Sequence, residues 1–181
     1  MSIQLEVVHA DGLDQRVRVE IIALCESAYR EDFSRLFEDF KATMHILARD
    51  ERGMLASHAM WVTRWLQPEE HPSLRTAYVE AVATVPDRRC RGFGTAVMGR
   101  LVAEASANPA WELAALSPAV SEFYIRRGWE PWLGPLAIRR DGALEPTPPD
   151  EHVMIHRLPR TPSTIVTTSL LTAEWRIGEL W

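Results

Sequence analysis

The 181 residues read as an α/β protein built around a mixed sheet, and three segments carry that reading. A valine- and alanine-dense run over 77–85 ends at Pro86 and enters a loop rich in arginine and glycine, inside which a helix begins. A strand, a short helix and further strands follow over 112–140. The opening run 3–8, IQLEVV, alternates apolar and polar residues as a half-buried strand does. Strands and helices interleaved in this way define the α/β class, here with about six or seven strands and about four helices in one domain over residues 1–181.

Each element has a local reason. Asp11 leads into a helical stretch from Leu13 to Arg30, whose apolar residues Val17, Val19, Ile21, Ile22, Leu24, Cys25 and Ala28 recur at three- and four-residue spacing. A short helix over 35–42 carries Leu36, Phe37 and Phe40 as its stripe. Two strand-like runs, 44–48 and 54–66, flank the polar insert 49–53, which ends in glycine as a hairpin loop does. Prolines and polar residues over 67–73 make a loop. The helix over 92–107 repeats Phe93, Val97, Leu101, Val102 and Ala105, and Pro109 follows it. Then come a strand over 112–116, a helix over 120–127 stopped by Gly128, and strands over 137–140 and 153–158. The turn Asp141-Gly142 and a proline-rich loop over 146–149 separate the last two. The tail, 169–181, fits either a helix or irregular chain.

Composition narrows the function. Twenty basic against 25 acidic residues give a net charge of -5, without the basic footprint of a nucleic-acid binder. A 46% hydrophobic share excludes a disordered chain. No apolar run approaches the ~20 residues of a membrane span, and the N-terminal segment lacks a signal-peptide core. Cys25 and Cys90 lie far apart with no CxxC pair, which suits reduced thiols in a cytoplasmic protein. The six histidines show no metal spacing: His152 and His156 are four apart in a strand-like run, with no third ligand. No metal is expected. Trp61 and Trp65 share a strand face and suit either a core or a pocket lining.

The central loop carries the chemistry. Arg88, Arg89, Cys90 and Arg91 precede Gly92, Phe93, Gly94 and Thr95. A helix start leaves backbone N–H groups unpaired and partial positive charge in place, and glycines let a bulky anion approach. Together these features make a pyrophosphate cradle. Neither GxxxxGK[ST] nor GxGxxG is present, which argues against nucleotide triphosphate and dinucleotide folds.

The segment Arg89-x-x-Gly92-x-Gly94 after a valine-rich strand resembles the acyl-CoA loop of the GNAT superfamily of N-acetyltransferases. Leu116-Ser117 and the run Phe123-Tyr124-Ile125-Arg126-Arg127-Gly128-Trp129 follow in the order of that family. Within it, the chain resembles the aminoglycoside 2′-N-acetyltransferases along nearly its full length, through Asp32-Phe33, Met44-His45, Tyr78-Val79-Glu80, Pro131-Trp132, Gly134-Pro135 and the run Trp175-Arg176 to Trp181. The resemblance implies the GNAT fold, with a central, mostly antiparallel mixed sheet. It also implies acetyl-CoA as cosubstrate, an aminoglycoside or similar polyamine as acceptor, and a homodimer.

It also assigns roles. Val82, Thr84 and the loop residues Arg89, Cys90, Arg91, Gly92, Phe93, Gly94 and Thr95 would hold acetyl-CoA. The Val82 N–H would face the thioester oxygen. Glu80 matches the carboxylate that takes a proton from the amine through water. By sequence alone Glu80 is either that group or a charge at a strand edge, since a glutamate within an apolar strand is costly unless solvated or paired. On a regular strand Glu80 and Val82 share one face with Tyr78 and Thr84. Tyr124 matches the acid that protonates the departing thiol, and its alternative is an ordinary core aromatic. Asp32, Glu80, Ala81, Ser117, either Asp150 or Glu151, and the carboxylate of Trp181 would contact the cationic acceptor. Where the family has a second acid after Asp32, Leu36 or Phe37 stands here, with Glu38 and Asp39 just beyond. Two other readings stay open: a GNAT enzyme for another small amine or a peptide N-terminus, and a non-catalytic acyl-CoA sensor.

Overall fold

The structure is a computed structural model and describes residues 2–178, 180 and 181. Among these the elements run β1 (Gln4–His9), α1 (Gln15–Tyr29), α2 (Leu36–Asp39), β2 (Ala42–Arg49), β3 (Leu55–Pro68), β4 (Leu74–Thr84), α3 (Phe93–Ala107), β5 (Leu113–Leu116), α4 (Ser121–Ile125), β6 (Glu130–Pro131), β7 (Leu136–Arg140), β8 (Ala143–Pro146), β9 (Met154–Arg157) and β10 (Leu171–Glu174). The α/β class and the four helices match the sequence reading. The sheet has ten strands rather than six or seven, in the order β6-β9-β5-β4-β3-β10-β7-β8, with β2 on β3 and β1 on β2. It is mixed: β4–β5 and β7–β10 run parallel, while β1–β2, β2–β3, β3–β10, β5–β9, β6–β9 and β7–β8 run antiparallel.

The extra strands have a common physical origin. β6 has two residues, β8 is exposed at every position, and β10 lies in the tail that fits no period. Each exists because a neighbour offers a hydrogen-bonding edge, not because its own pattern asks for a strand. β8 closes on β7 through Asp141 (φ 50°) and Gly142 (φ 81°), the two left-handed residues of a type I′ hairpin turn.

The chain divides into two compact units. The first comprises Met1–Val62 and Val79–Glu104. Its core packs Leu13, Ile21, Leu24, Cys25 and Leu36 against Leu47, Met60 and Ala83, so α1 and α2 cover one face of the β2–β3–β4 strands. Asp14, rather than Asp11, caps α1, its carboxylate accepting from the Val17 N–H at 2.9 Å. Val19 turns outward from the stripe. Burial pushes the Cys25 thiol up to about 12, with Glu26 adding to the shift, so this cysteine is an inert core residue.

The second unit comprises Thr63–Tyr78 and Ala105–Trp181. Its parallel pair matches Thr76, Ala77 and Tyr78 of β4 with Leu113, Ala114 and Ala115 of β5, and β9 lies antiparallel on the far side of β5. Arg64, 1% exposed, ties down the tail: its guanidinium donates to the carbonyls of Leu180 (2.7 Å) and Glu174 (2.8 Å) and to the Glu174 carboxylate (3.2 Å). That guanidinium also lies over the Tyr78 ring, 5.1 Å from its centroid. Gly134 is required by close approach, since a Cβ there would stand 1.9 Å from the Ser169 carbonyl oxygen. Gly134→Ala therefore forces backbone apart, and the expected outcome is a loss of about 1–3 kcal/mol or more in urea melts, with a lower Tm.

Candidate active site

In the first unit, β4 does not stay regular. Ala81 adopts φ 50°, a left-handed conformation that costs a non-glycine residue roughly 1–2 kcal/mol. A left-handed residue within a strand kinks it as a bulge does, and it breaks the two-residue alternation that the sequence reading carried through this point. Glu80, Ala81 and Val82 are all half-buried, instead of alternating between core and solvent.

Four successive carbonyls after Glu80 accept from side chains. The Ala81 oxygen takes the His58 Nδ1–H (3.0 Å), and Val82 takes the Tyr29 hydroxyl (2.7 Å). Ala83 takes the Ser57 hydroxyl (2.8 Å), and Thr84 takes the Arg89 Nε–H (3.4 Å). The Val85 N–H donates to the Ala56 carbonyl of β3 (3.0 Å), so by two-residue alternation the Ala83 carbonyl faces β3 and the Val82 carbonyl faces the other edge. In an extended residue the N–H lies on the same edge as the C=O, so the Val82 N–H is carried on the edge away from β3. Tyr29 also stacks on Phe33 at 5.2 Å, next to Asp32. The Asp32 carboxylate accepts from the Ser34 N–H at 2.8 Å, and the bonds from Ser34 hold it below the usual carboxylate range. Asp32 is therefore an exposed, firmly ionised group one turn beyond Tyr29.

The loop after β4 has the shape an anion needs. Cys90 (φ 60°) and Gly92 (φ 88°) are both left-handed, and α3 then starts at Phe93, the first bond back into the helix running from the Ala96 N–H to the Gly92 carbonyl (2.9 Å). The Phe93 and Gly94 N–H groups thus lie in the first turn, where a helix offers its N–H groups no carbonyl of its own. Two of the three arginines brace the loop. Arg88 pairs with Asp50 (3.3 Å) and Asp87 (3.1 Å), while Arg89 also reaches the Ala28 carbonyl (2.8 Å). Arg91 is exposed and makes no ion pair among the described residues. Beside the loop lies a cavity of about 330 Å³ lined by Asp50, Glu51, Arg52, Arg88, Arg91 and Phe93. These residues fit a pyrophosphate: a helix start, left-handed loop residues and a guanidinium on the exposed side.

A buried pair of imidazoles supports this end of β4. His45 on β2 and His58 on β3 are diagonal neighbours on one sheet face, their Nδ1 and Nε2 3.1 Å apart. Both are 1% exposed or less. Burial pushes His58 down to about 3, with the neighbouring His45 adding to the shift against the bond to Ala81. Burial, then Arg18, pushes His45 down to about 4.

In the second unit, Ser117 is exposed directly after β5, and Asp150 and Glu151 precede β9. The register pairs Leu116 with Met154, so Ser117 and the Asp150–Glu151 segment stand at the same end of that strand pair. Tyr124 on α4 is buried, edge-on to Phe123 (5.0 Å) and Trp129 (6.0 Å). Burial pushes its phenol up to about 12, against the opposing pull of Arg127. It therefore stays protonated throughout the neutral range, and it is a weaker acid than its sequence position alone suggests. The Trp181 side chain is 3% exposed. Trp61 is buried and Trp65 about half exposed, while the His156 Nδ1–H donates to the Gly128 carbonyl (3.1 Å), a structural role. Among the described residues no group of three or more His, Cys, Asp or Glu could hold a metal ion, and no helix is long and apolar enough to cross a membrane.

The sequence reading gave no role to Tyr29, Ser57, His58 and Arg64, and met His45 only within the segment Met44-His45. None has a local signal: each acts on a partner at least 13 residues away.

With this geometry in view, the comparisons with known proteins agree on one class. Residues 15–132 match the model of the acetyltransferase (GNAT) domain. Over 97% of its length the chain is 33% identical to an aminoglycoside 2′-N-acetyltransferase of Mycolicibacterium fortuitum, covering 90% of that protein. Among solved structures it is similar to the Escherichia coli GNAT family N-acetyltransferase YhbS in complex with CoA, at a TM-score of 0.66 and 15% identity, over 98% of this chain and 96% of that one. It is also similar to Eis1 of Mycobacterium abscessus, at 0.60 and 20%, over 73% of this chain. The chain spans about a third of the length of Eis1 and of a probable N-acyltransferase from Enterococcus faecalis. The chain belongs to the GNAT acetyltransferase family and is an acetyl-CoA-dependent acetyltransferase.

The imidazole pair sets a pH dependence of stability. Both groups are held below their ordinary 6.5 in the folded chain, so the unfolded chain takes up protons first on acidification. Their contribution is complete above about pH 6.5 and is lost as pH falls toward 4 and then 3; His156, also lowered by burial, adds with the same sign. Urea melts should show the unfolding free energy falling from pH 6.5 to pH 5, with a shallower slope in His45→Leu. A flat wild-type profile in that window contradicts the assignment.

Proposed function

We propose that the chain acetylates the 2′-amino group of aminoglycosides. The observation that carries this reading is the 33% identity, over nearly the whole chain, with the Mycolicibacterium fortuitum aminoglycoside 2′-N-acetyltransferase. Acetyl-CoA supplies the acetyl group as a thioester. The loop Arg89–Thr95 binds its pyrophosphate with backbone N–H groups and Arg91, and Val82 and Thr84 bond the pantetheine arm as an added strand. The Val82 N–H donates to the thioester oxygen as charge grows there.

Glu80 takes the proton that the 2′-ammonium must lose, through water, freeing the nitrogen lone pair to attack the carbonyl carbon. The carbon–nitrogen bond forms as the carbon–sulfur bond breaks, and the second proton that the nitrogen sheds passes through water to the departing sulfur. Tyr124 then serves the departing sulfur. With its phenol at about 12 it lies well above an ordinary thiol near 8.5, so outright proton transfer is uphill. Its contribution in this reading is a hydrogen bond from a hydroxyl that is always protonated. Asp32, Ser117, Asp150 or Glu151, and the Trp181 carboxylate grip the remaining ammonium and hydroxyl groups, together with Glu80 and the Ala81 backbone. Acetylation removes one positive charge and one donor from the drug, weakening its attachment to RNA phosphates, which is a route to antibiotic resistance. The same reading carries a single acetyltransferase domain working as a homodimer in the cytoplasm.

The reading is tested by thiol-reagent detection of CoA release with two kanamycins, one bearing an amine and the other a hydroxyl at the 2′ position. Release with the amine form alone is the expected result. Release with both moves the site of attack, and release with neither removes the aminoglycoside reading. Glu80→Gln should lower kcat about 10²–10⁴-fold with acetyl-CoA binding retained, and unchanged turnover removes Glu80 as the base. Tyr124→Phe should lower kcat about tenfold, short of the loss of a full proton donor.

A further inference from the structure

The left-handed residue between Glu80 and Val82 is an alanine, and nothing in its own chemistry favours that conformation. What touches it is a histidine. The His58 ring, fully buried in the core face of β3, places Nδ1 3.0 Å from the Ala81 carbonyl oxygen. A carbonyl only accepts, so Nδ1 carries the hydrogen. A neutral imidazole then leaves Nε2 with a lone pair, and among the described residues it meets Nδ1 of His45 at 3.1 Å, which must therefore donate. The chain of bonds runs in one direction: His45 Nδ1–H to His58 Nε2, His58 Nδ1–H to Ala81 O. Both rings are forced into the Nδ1–H tautomer.

The surroundings keep the pair neutral and fixed. His45 packs against the Phe37 ring at 5.8 Å, and the Arg18 guanidinium stands over the other reach of that ring at 5.0 Å from its centroid. Burial first, and then this cation, oppose a positive charge on His45. Leu47, Met60 and Ala83 of the same core lie on the strands that carry the pair and its target.

We propose that His58, locked in its tautomer by His45, is a positioning residue for acetyl transfer: its Nδ1–H holds the Ala81 carbonyl turned toward β3 and so keeps the bulge that sets Glu80 and the Val82 N–H in their working directions. The functional half of this rests on the acetyl-transfer reading above. The structural half does not. Neither imidazole reaches a reacting atom; each acts through the backbone at Ala81.

His58→Asn and His58→Leu separate the bond from the bulk. The asparagine amide offers an N–H at about the reach of Nδ1, whereas leucine fills the space with no donor. Two readouts are taken on each. Backbone chemical shifts report whether Ala81 keeps left-handed values. Steady-state kinetics report kcat against the KM for acetyl-CoA. The expected result is that Ala81 loses its left-handed shifts in His58→Leu and keeps them in His58→Asn. With an acetylated amine, kcat should fall at least tenfold in the leucine variant, with the KM for acetyl-CoA within about threefold and most of the kcat recovered by asparagine. Unaltered Ala81 shifts in His58→Leu overturn the proposal, as do asparagine and leucine variants that lose kcat equally. Should the leucine variant fail to fold, long-range ¹⁵N spectra of the wild-type imidazoles decide: hydrogen on Nδ1 of both rings supports the proposal, and hydrogen on Nε2 of His58 overturns it. If the wild type acetylates no aminoglycoside, the functional reading falls, while the shifts of Ala81 and the tautomers still judge the role of His58.

Discussion

The left-handed turn of the backbone at Ala81 is the constraint from which the first unit is organised. A regular strand would carry Glu80 and Val82 on one face with a neighbour between them on the other. The bulge removes that alternation and leaves three consecutive residues half-buried. The conformation persists because its neighbours over-determine it. His58, Tyr29, Ser57 and Arg89 each donate to one of the four carbonyls from Ala81 to Thr84, drawn from β3, α1 and the loop after β4. Net hydrogen-bond contributions of about 1 kcal/mol apiece are enough to outweigh a left-handed alanine.

Arg89 shows how economically the loop is tied to this strand. The same guanidinium reaches the Thr84 carbonyl and the Ala28 carbonyl, so the last residue of β4, the end of α1 and the start of the anion loop are joined by one side chain. Arg88 is committed to Asp50 and Asp87. The charge left to meet an anion is therefore smaller than three arginines within four residues suggest, and the backbone at Cys90, Gly92 and the start of α3 carries more of the task. In the second unit, Arg64 has the comparable bracing part: it collects the Glu174 and Leu180 carbonyls and so orders a tail that has no periodic pattern of its own.

The parts of the molecule visible in the sequence are those whose chemistry is local. The arginine–glycine loop, the helix after it, the Asp141-Gly142 hairpin and the misplaced charge of Glu80 can all be read within a few residues. The parts that escape are those decided by distant neighbours. Alanine gives no sign of a positive φ. His45 and His58 look like ordinary strand histidines until the β2–β3 register makes them diagonal partners. β6, β8 and β10 are strands by recruitment to an edge. Tyr124 is legible as a tyrosine in a family motif, but its protonation follows from burial beside Phe123 and Trp129, which only the packing supplies. The identity of a site is thus written in its loops, and its geometry is written in the core beneath.

In the proposed reading, the bulged edge of β4 presents the Val82 N–H to acetyl-CoA. The most direct test is an acetyl-CoA titration followed by backbone amide NMR. The Val82 and Thr84 amides should shift together with those of Gly92 and Gly94 and saturate at one dissociation constant. Shifts confined to the loop, with Val82 and Thr84 unmoved at saturation, would contradict it.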